Sequence, residues 1–243
     1  MISNNEIKRI RSLSQKKFRD SMGLFTVEGE KMVEEAVRSG FEIENIYYRK
    51  DIGEDAMGRI SQLATPSPVL AVVKKPEYIS ETPKIPSKGL SLGLDSLRDP
   101  GNLGTVIRIA DWFGINAIFA SRDTVDVFNP KVVQSTMGAV FRVKIHYCDL
   151  VETAGHFIDS GGKVYGTFLD GRNIYGSVLE TGADSPVMIV IGNESEGISR
   201  EMEAVVSDRF LIPPYPADTR SSESLNAAVA TAITVAEFRR RMF

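Results

Sequence analysis

The chain has few of the residues that build disulfide frameworks and metal centres. Cys148 is the only cysteine among 243 residues, so no intrachain disulfide can form. With only His146 and His156 beside it, a Cys/His zinc site lacks ligands, and no metal is expected. Nor is there an excess of cations. The formal net charge is −3, so any contact with nucleic acid has to come from local patches. No apolar run approaches the roughly 20 residues of a membrane span. The opening Met1-Ile-Ser-Asn-Asn-Glu-Ile is not followed by the apolar stretch of a signal peptide, so a cytoplasmic location is expected. There is no internal repeat and no low-complexity segment. What is present, 42% hydrophobic and 25% charged residues, is ordinary for a globular chain, and the length fits one large domain or two modest ones.

Proline marks the division. Pro76, Pro83 and Pro86 stand among charged and small residues between Lys74 and Lys88, which suits neither a helix nor a central strand. Residues 1–80 read as a small α/β unit: a helix over about 4–20, strands at 24–27, 43–48 and 69–73, and a helix over 30–39 stopped by Gly40. Residues 81–243 alternate strand and helix patterns. Apolar runs at 89–94, 115–120, 143–147, 163–168, 187–191 and 210–212 predict six strands of a parallel sheet covered on both faces. The fold class is therefore α/β. Ligands of such sheets sit at the carboxyl ends of the strands.

Three stretches stand at those ends. The first is Asp99-Pro-Gly-Asn-Leu-Gly-Thr-Val-Ile-Arg108. Pro100-Gly101 signals a turn, and Leu103, Val106, Ile107 and Ala110 form a helical stripe for the sheet. Arg108 lies off that stripe. It is either a solvated arginine or one that faces a cleft or a partner subunit. Asn102 stands at the helix start, where asparagine often serves only as a cap. The second stretch is Ile191-Gly-Asn-Glu-Ser-Glu-Gly197. It is neither a P-loop nor a dinucleotide fingerprint. Glu194 and Glu196 disfavour a pyrophosphate and are compatible with a cationic or neutral ligand, or with an ion pair to Arg108. Its glycines allow close backbone approach to something flat. The third is Ile212-Pro213, followed by Ser224-Leu-Asn226 and an alanine-rich helix whose expected apolar face is Leu225, Ala228, Val229, Ala232 and Ala236. Ser224 and Asn226 are caps or pocket residues. In the N-terminal part, Lys8, Arg9, Arg11, Lys16, Lys17 and Arg19 form a basic run. It is either a solvated helix face or a phosphate-binding one. Arg239-Arg-Arg241 offers a second set of cations.

Taken together, Asn102/Gly104/Arg108, Gly192/Glu194/Gly197, Ile212/Pro213 and Ser224/Leu225/Asn226 resemble the motifs of the SpoU/TrmH-type RNA ribose 2′-O-methyltransferases of the SPOUT superfamily. The resemblance covers about residues 89–241. The segment Phe25-Thr-Val-Glu-Gly-Glu-Lys31 and the basic helix before it are similar to the small substrate-binding domain, like ribosomal protein L30e, that many members carry. The resemblance implies a Rossmann-like sheet with a deep trefoil knot, a homodimer whose two subunits build each active site, and S-adenosylmethionine as methyl donor. It implies that Thr167, Gly192, Gly197, Ile212 and Leu225 bind the donor. Asn102 and Asn226 would position the ribose, Ser224 would shape the pocket, and Glu194 would hold Arg108 or a loop amide. A guanidinium does not deprotonate in proteins, so Arg108 is expected to bind phosphate and stabilise developing alkoxide charge rather than act as a base. The segment between Ile212 and Ser224 is longer than in compact members, with Pro214 where methionine is common. Ribosomal RNA is the expected substrate, with transfer RNA as an alternative. Two other readings compete: a catalytically silent RNA-binding or ribosome-assembly protein on this fold, and a small-molecule enzyme on an ordinary Rossmann sheet. The latter predicts a glycine-rich first loop and an acid ending the second strand, where this chain has Ser121-Arg122.

Overall fold

Residues 2–80, 83–216 and 224–242 are described by the computed structural model. The first part of the chain runs α1 (Asn4–Ser12), α2 (Lys16–Met22), β1 (Leu24–Glu28), α3 (Glu30–Arg38), β2 (Ile43–Tyr48), α4 (Arg49–Ile52), α5 (Glu54–Ile60) and β3 (Val69–Lys74). Its three strands form an antiparallel sheet in the order β1-β3-β2. The helix predicted over residues 4–20 is two helices. A turn in which Gln15 N–H bonds the Ser12 carbonyl separates them. The break lets Ile7, Ile10 and Leu13 pack with Leu70 and Val72 of β3, while α2 turns off toward the second sheet. Gly23, at φ +67°, closes α2 in the left-handed region, as glycine readily does.

The second part runs β4 (Gly89–Leu94), α6 (Pro100–Trp112), β5 (Ala117–Ser121), α7 (Pro130–Ser135), β6 (Lys144–Cys148), α8 (Leu150–Asp159), β7 (Lys163–Asn173), β8 (Pro186–Ile191), α9 (Arg200–Glu203), β9 (Asp208–Leu211) and α10 (Ala227–Arg240). The six strands fall on the six apolar runs and lie in the order β6-β5-β4-β8-β7-β9, with every pairing parallel. All six residues of β8 are buried, as expected of a central strand covered on both faces. From β4 the chain builds one half of the sheet with β5 and β6, crosses to the other half at β7, and comes back beside β4 at β8. The crevice between the ends of these two strands is where ligands of such sheets bind.

The two sheets share one core. Phe25 of β1 lies 4.5 Å, centroid to centroid, from Phe128, and Phe41 stands 5.2 Å edge-on to Phe141. Arg142 bridges Glu35 of α3 and Asp111 of α6. Arg19, read from sequence as a phosphate contact, makes the most deeply buried ion pair among these ties. It is 2% exposed, its Nη2 lies 2.6 Å from Asp126 Oδ2, and its Nη1 donates to the carbonyls of Leu13 and Ser14. A guanidinium so enclosed cannot meet RNA, which corrects that expectation. Removing one partner of a buried pair leaves the other charged and unsolvated, at a cost of about 3–5 kcal/mol. Arg19→Ala should therefore melt about 10 °C lower. The joint replacement Arg19→Met with Asp126→Leu should recover most of that loss in the same thermal melt, because no orphan charge is left.

Candidate active site

The three stretches meet at the carboxyl ends of β4, β8 and β9. Asp99 caps α6, its Oδ1 accepting from Asn102 N–H at 2.8 Å, and Pro100 fills the first helical turn, where no N–H is needed. Asn102 is thereby freed from capping, and its side chain turns to the other motifs. Its Nδ2 donates to Glu194 Oε1 at 2.9 Å, and its Oδ1 accepts from Asn226 Nδ2 at 2.9 Å. Asn226 is at once the cap of α10, accepting from the N–H groups of Ala228 and Val229. One residue from each stretch thus joins a single hydrogen-bonded chain.

Glu194 anchors that chain to the backbone. Besides Asn102, it accepts from the N–H groups of Arg98 at 3.4 Å and Asp99 at 3.2 Å. Burial alone would raise its pKa. The donors from Asn102 and the loop amides outweigh that and hold the carboxyl below its usual range. Of the two partners expected for Glu194, the structure shows the loop amide and not Arg108.

The loop after β8 folds back on itself. Asn193 and Gly197 form a two-way backbone bridge, with Gly197 at φ +73°. A Cβ on Gly192 would overlap the backbone of Gly197 and Ile198. The absence of a Cβ at Gly192 is therefore what lets the loop fold this closely on itself. Asn193 escaped the sequence reading, yet it ties the second motif to the loop that leads into the first. Its Nδ2 donates to the Ser96 carbonyl at 2.7 Å, and its Oδ1 accepts from the N–H groups of Ser195 and Glu196. The signal available was an asparagine directly after a strand-ending glycine, a frequent side-chain turn. Ser96 sits at φ +58°, held by Ser121 Oγ on its N–H and by Asn193 on its carbonyl. Asp95 fastens the far end of the loop by accepting from Ser199 N–H at 2.7 Å.

A cavity of about 610 Å³ opens beside this loop, a size ordinary for a small-molecule site. Thr167, Gly192, Gly197, Ile212 and Leu225 all line it, as do Glu194 and Ser224. Phe168, Phe210, Ala227 and Ala230, not singled out from sequence, supply apolar wall. Small alanines at the start of α10 leave the space that larger side chains would fill. The buried face of α10 is not the one expected: it is Ala228, Thr231, Val235 and Phe238 at helical spacing, while Val229 and Leu225 are exposed. Among the described residues no cluster of histidine, cysteine and carboxylates could hold a metal ion.

Arg108 does not line this cavity. It is exposed on α6 and makes no hydrogen bond or ion pair with any described residue. Trp112, one turn further along the same helix, is 85% exposed. The other cations divide. Lys8, Arg11, Lys16 and Lys17 are exposed, Lys16 at 2.6 Å from Asp20. Arg9 is held between Glu6 and Glu44 at 2.7 Å each. At the other terminus, Arg239 donates to the Phe113 and Gly114 carbonyls and Arg241 to that of Ile174, so the Arg239–Arg241 set is largely spent on the fold.

The description of the SpoU rRNA Methylase family matches residues 89–236, and that of an MRM3-like substrate binding domain matches residues 4–76. The 23S rRNA (guanosine(2553)-2′-O)-methyltransferase RlmP of Bacillus subtilis is 30% identical over 97% of this chain and 96% of its own length. Among solved structures, a TrmH-family protein from Porphyromonas gingivalis superposes with a TM-score of 0.86 at 39% identity, covering 99% of both chains. An AdoMet-bound rRNA methyltransferase from Sinorhizobium meliloti superposes with a TM-score of 0.82 at 28% identity, covering 100% of this chain and 97% of its own.

Proposed function

The chain belongs to the SpoU rRNA Methylase family, and on that premise we propose that it methylates a ribose 2′-hydroxyl of 23S ribosomal RNA. It is an S-adenosylmethionine-dependent RNA ribose 2′-O-methyltransferase. The observation that carries this reading is the Asn226–Asn102–Glu194 chain at the mouth of a cavity whose lining includes the five residues expected to hold the donor.

The lining suits that donor. Apolar walls from Phe168, Ile212 and Ala230 can take an adenine ring, main-chain groups of the loop can meet its edge, and Glu194 and Glu196 favour a cation nearby. When bound, S-adenosylmethionine supplies an electrophilic methyl group on a sulfonium. The work of the protein is orientation. Asn102 and Asn226 hold the ribose in line, their own rotamers fixed by Glu194 and by the cap of α10. Arg108 binds the neighbouring phosphate and stabilises negative charge as the hydroxyl loses its proton. The proton leaves through water or the substrate phosphate, since the guanidinium stays charged.

Because Arg108 stands outside its own cavity, it serves the site of a second subunit. The exposed Trp112 and Val229, on packed helices α6 and α10, supply the apolar surface for a homodimer. The trefoil knot is supported by the return of α10 onto α6, where Asn226 bonds an asparagine 124 residues earlier in the chain. In this reading residues 1–80 are an RNA-binding unit, supported by the exposed cations of α1 and α2, and the enzyme is cytoplasmic. Methyl-labelled S-adenosylmethionine incubated with the protein and unmodified 23S rRNA should leave label in a ribose, read as an alkali-resistant dinucleotide. Label in a base, or none, would overturn the assignment.

A further inference from the structure

A second cavity, of about 570 Å³, lies between the two sheets. One wall is β1 with the segment after α5, carrying Glu28, Gln62 and Ala64. The other is α7, carrying Lys131, Gln134 and Ser135. Glu28, only 5% exposed, forms a fixed acceptor at its floor. Its two oxygens receive Ser61 Oγ at 2.6 Å and Gln62 N–H at 2.5 Å. By contrast, the side-chain amides of Gln62 and Gln134 and the ammonium of Lys131 make no hydrogen bond with any described residue. Two uncommitted amides and a cation therefore converge on one opening. Amides present paired donor and acceptor groups, the chemistry that reads a base edge, and an ammonium suits a phosphate.

The position of the cavity adds to this. Its α7 wall is pressed against the catalytic helix: a Cβ on Gly104 would overlap Ser135 and approach the Val132 carbonyl to 3.0 Å. Gly104 is one turn, about 6 Å, from Arg108. The opposing walls are held at a fixed separation by the Arg19–Asp126 pair and the Phe25–Phe128 contact. The opening is thus on a helix packed one turn from Arg108, within the span of a few nucleotides, and recognition of RNA sequence works mainly through unpaired, splayed bases. We propose that the inter-sheet cavity takes one unpaired base of the substrate RNA, with Gln62 and Gln134 on its hydrogen-bonding edge and Lys131 on the flanking phosphate. This rests on the RNA-methylating function proposed above and adds where the substrate is read.

The test uses full-length dimeric enzyme and unmodified 23S rRNA transcribed in vitro. Ala64 is exposed at the rim, so Ala64→Trp plugs the opening without disturbing the core. Ala64→Trp and Lys131→Ala should each raise the KM for RNA about tenfold, the scale of one lost base or phosphate contact, at unchanged kcat and unchanged affinity for S-adenosylmethionine. Ultraviolet crosslinking followed by mass spectrometry should place RNA on residues 62–64 or 130–135 of the wild type and not of Ala64→Trp. Wild-type KM values in both variants, or crosslinks confined to other segments, would overturn the proposal. An inactive wild type would instead strike the functional reading, while the crosslinks would still decide the cavity.

Discussion

Replacing Arg108 with alanine should lower kcat by about two to three orders of magnitude, the usual cost of losing a group aimed at developing charge. Affinity for S-adenosylmethionine, measured by calorimetry, should hold, because Arg108 takes no part in the lining of its own cavity. Arg108→Lys should not restore the rate, since an ammonium cannot reproduce the planar fork that engages a phosphate. Near-normal turnover in Arg108→Ala would remove this residue from the chemistry. The same variant tests whether the site is shared. Mixed with a protomer whose own cavity is spoiled but whose Arg108 is intact, it should regain activity, because one mixed site pairs an intact cavity with an intact Arg108. In a two-fold dimer exchanging at random this amounts to about a quarter of the wild-type rate. A site complete within one chain would give none.

The spoiled cavity comes from Gly192→Ala, the second large effect. The added Cβ would collide with main-chain atoms of Gly197 and Ile198 rather than with a flexible side chain. The loop must then open, carrying Glu194 away from Asn102 and Asn193 away from Ser96. Overpacking of this kind costs about 3 kcal/mol, which corresponds to an S-adenosylmethionine affinity on the order of 100-fold weaker by titration calorimetry. Gly197→Ala offers an internal contrast. Nothing lies within 4 Å of a Cβ there, so its penalty is only the left-handed backbone, about 1–2 kcal/mol. Equal affinities for Gly192→Ala and the wild type would mean that the folded-back loop does not shape the cavity.

The second sheet was legible because buried parallel strands leave unbroken apolar runs, and six such runs gave six strands. The stripe Leu103, Val106, Ile107 and Ala110 was legible for the same reason, and all four are fully buried. The convergence of the three stretches was readable from their places at strand ends. What escaped were decisions made by distant partners. Arg19 looks like its basic neighbours until Asp126, 107 residues away, is brought to it by the fold. Glu194 had two plausible partners, and the choice between Arg108 and a loop amide depends on where the first loop lands. On α10, Thr231 and Thr234 do not read as core, yet both are fully buried. A small hydroxyl can turn back to its own helix, as Thr231 does toward the Ala227 carbonyl at 2.7 Å. The break after Ser12 carries neither proline nor glycine, so only the packing of Leu13 reveals it.

The shared core bears on how such a chain can be altered. Two sheets joined by a proline-bearing connection invite treatment as interchangeable cassettes, the first swapped to redirect the second. Here a graft would strip Phe128 of its aromatic cover and leave Asp126 without its guanidinium partner beneath whatever replaced α2. Retargeting would therefore have to rework the exposed rims while keeping the seam, much as one re-keys a lock without removing it from the door.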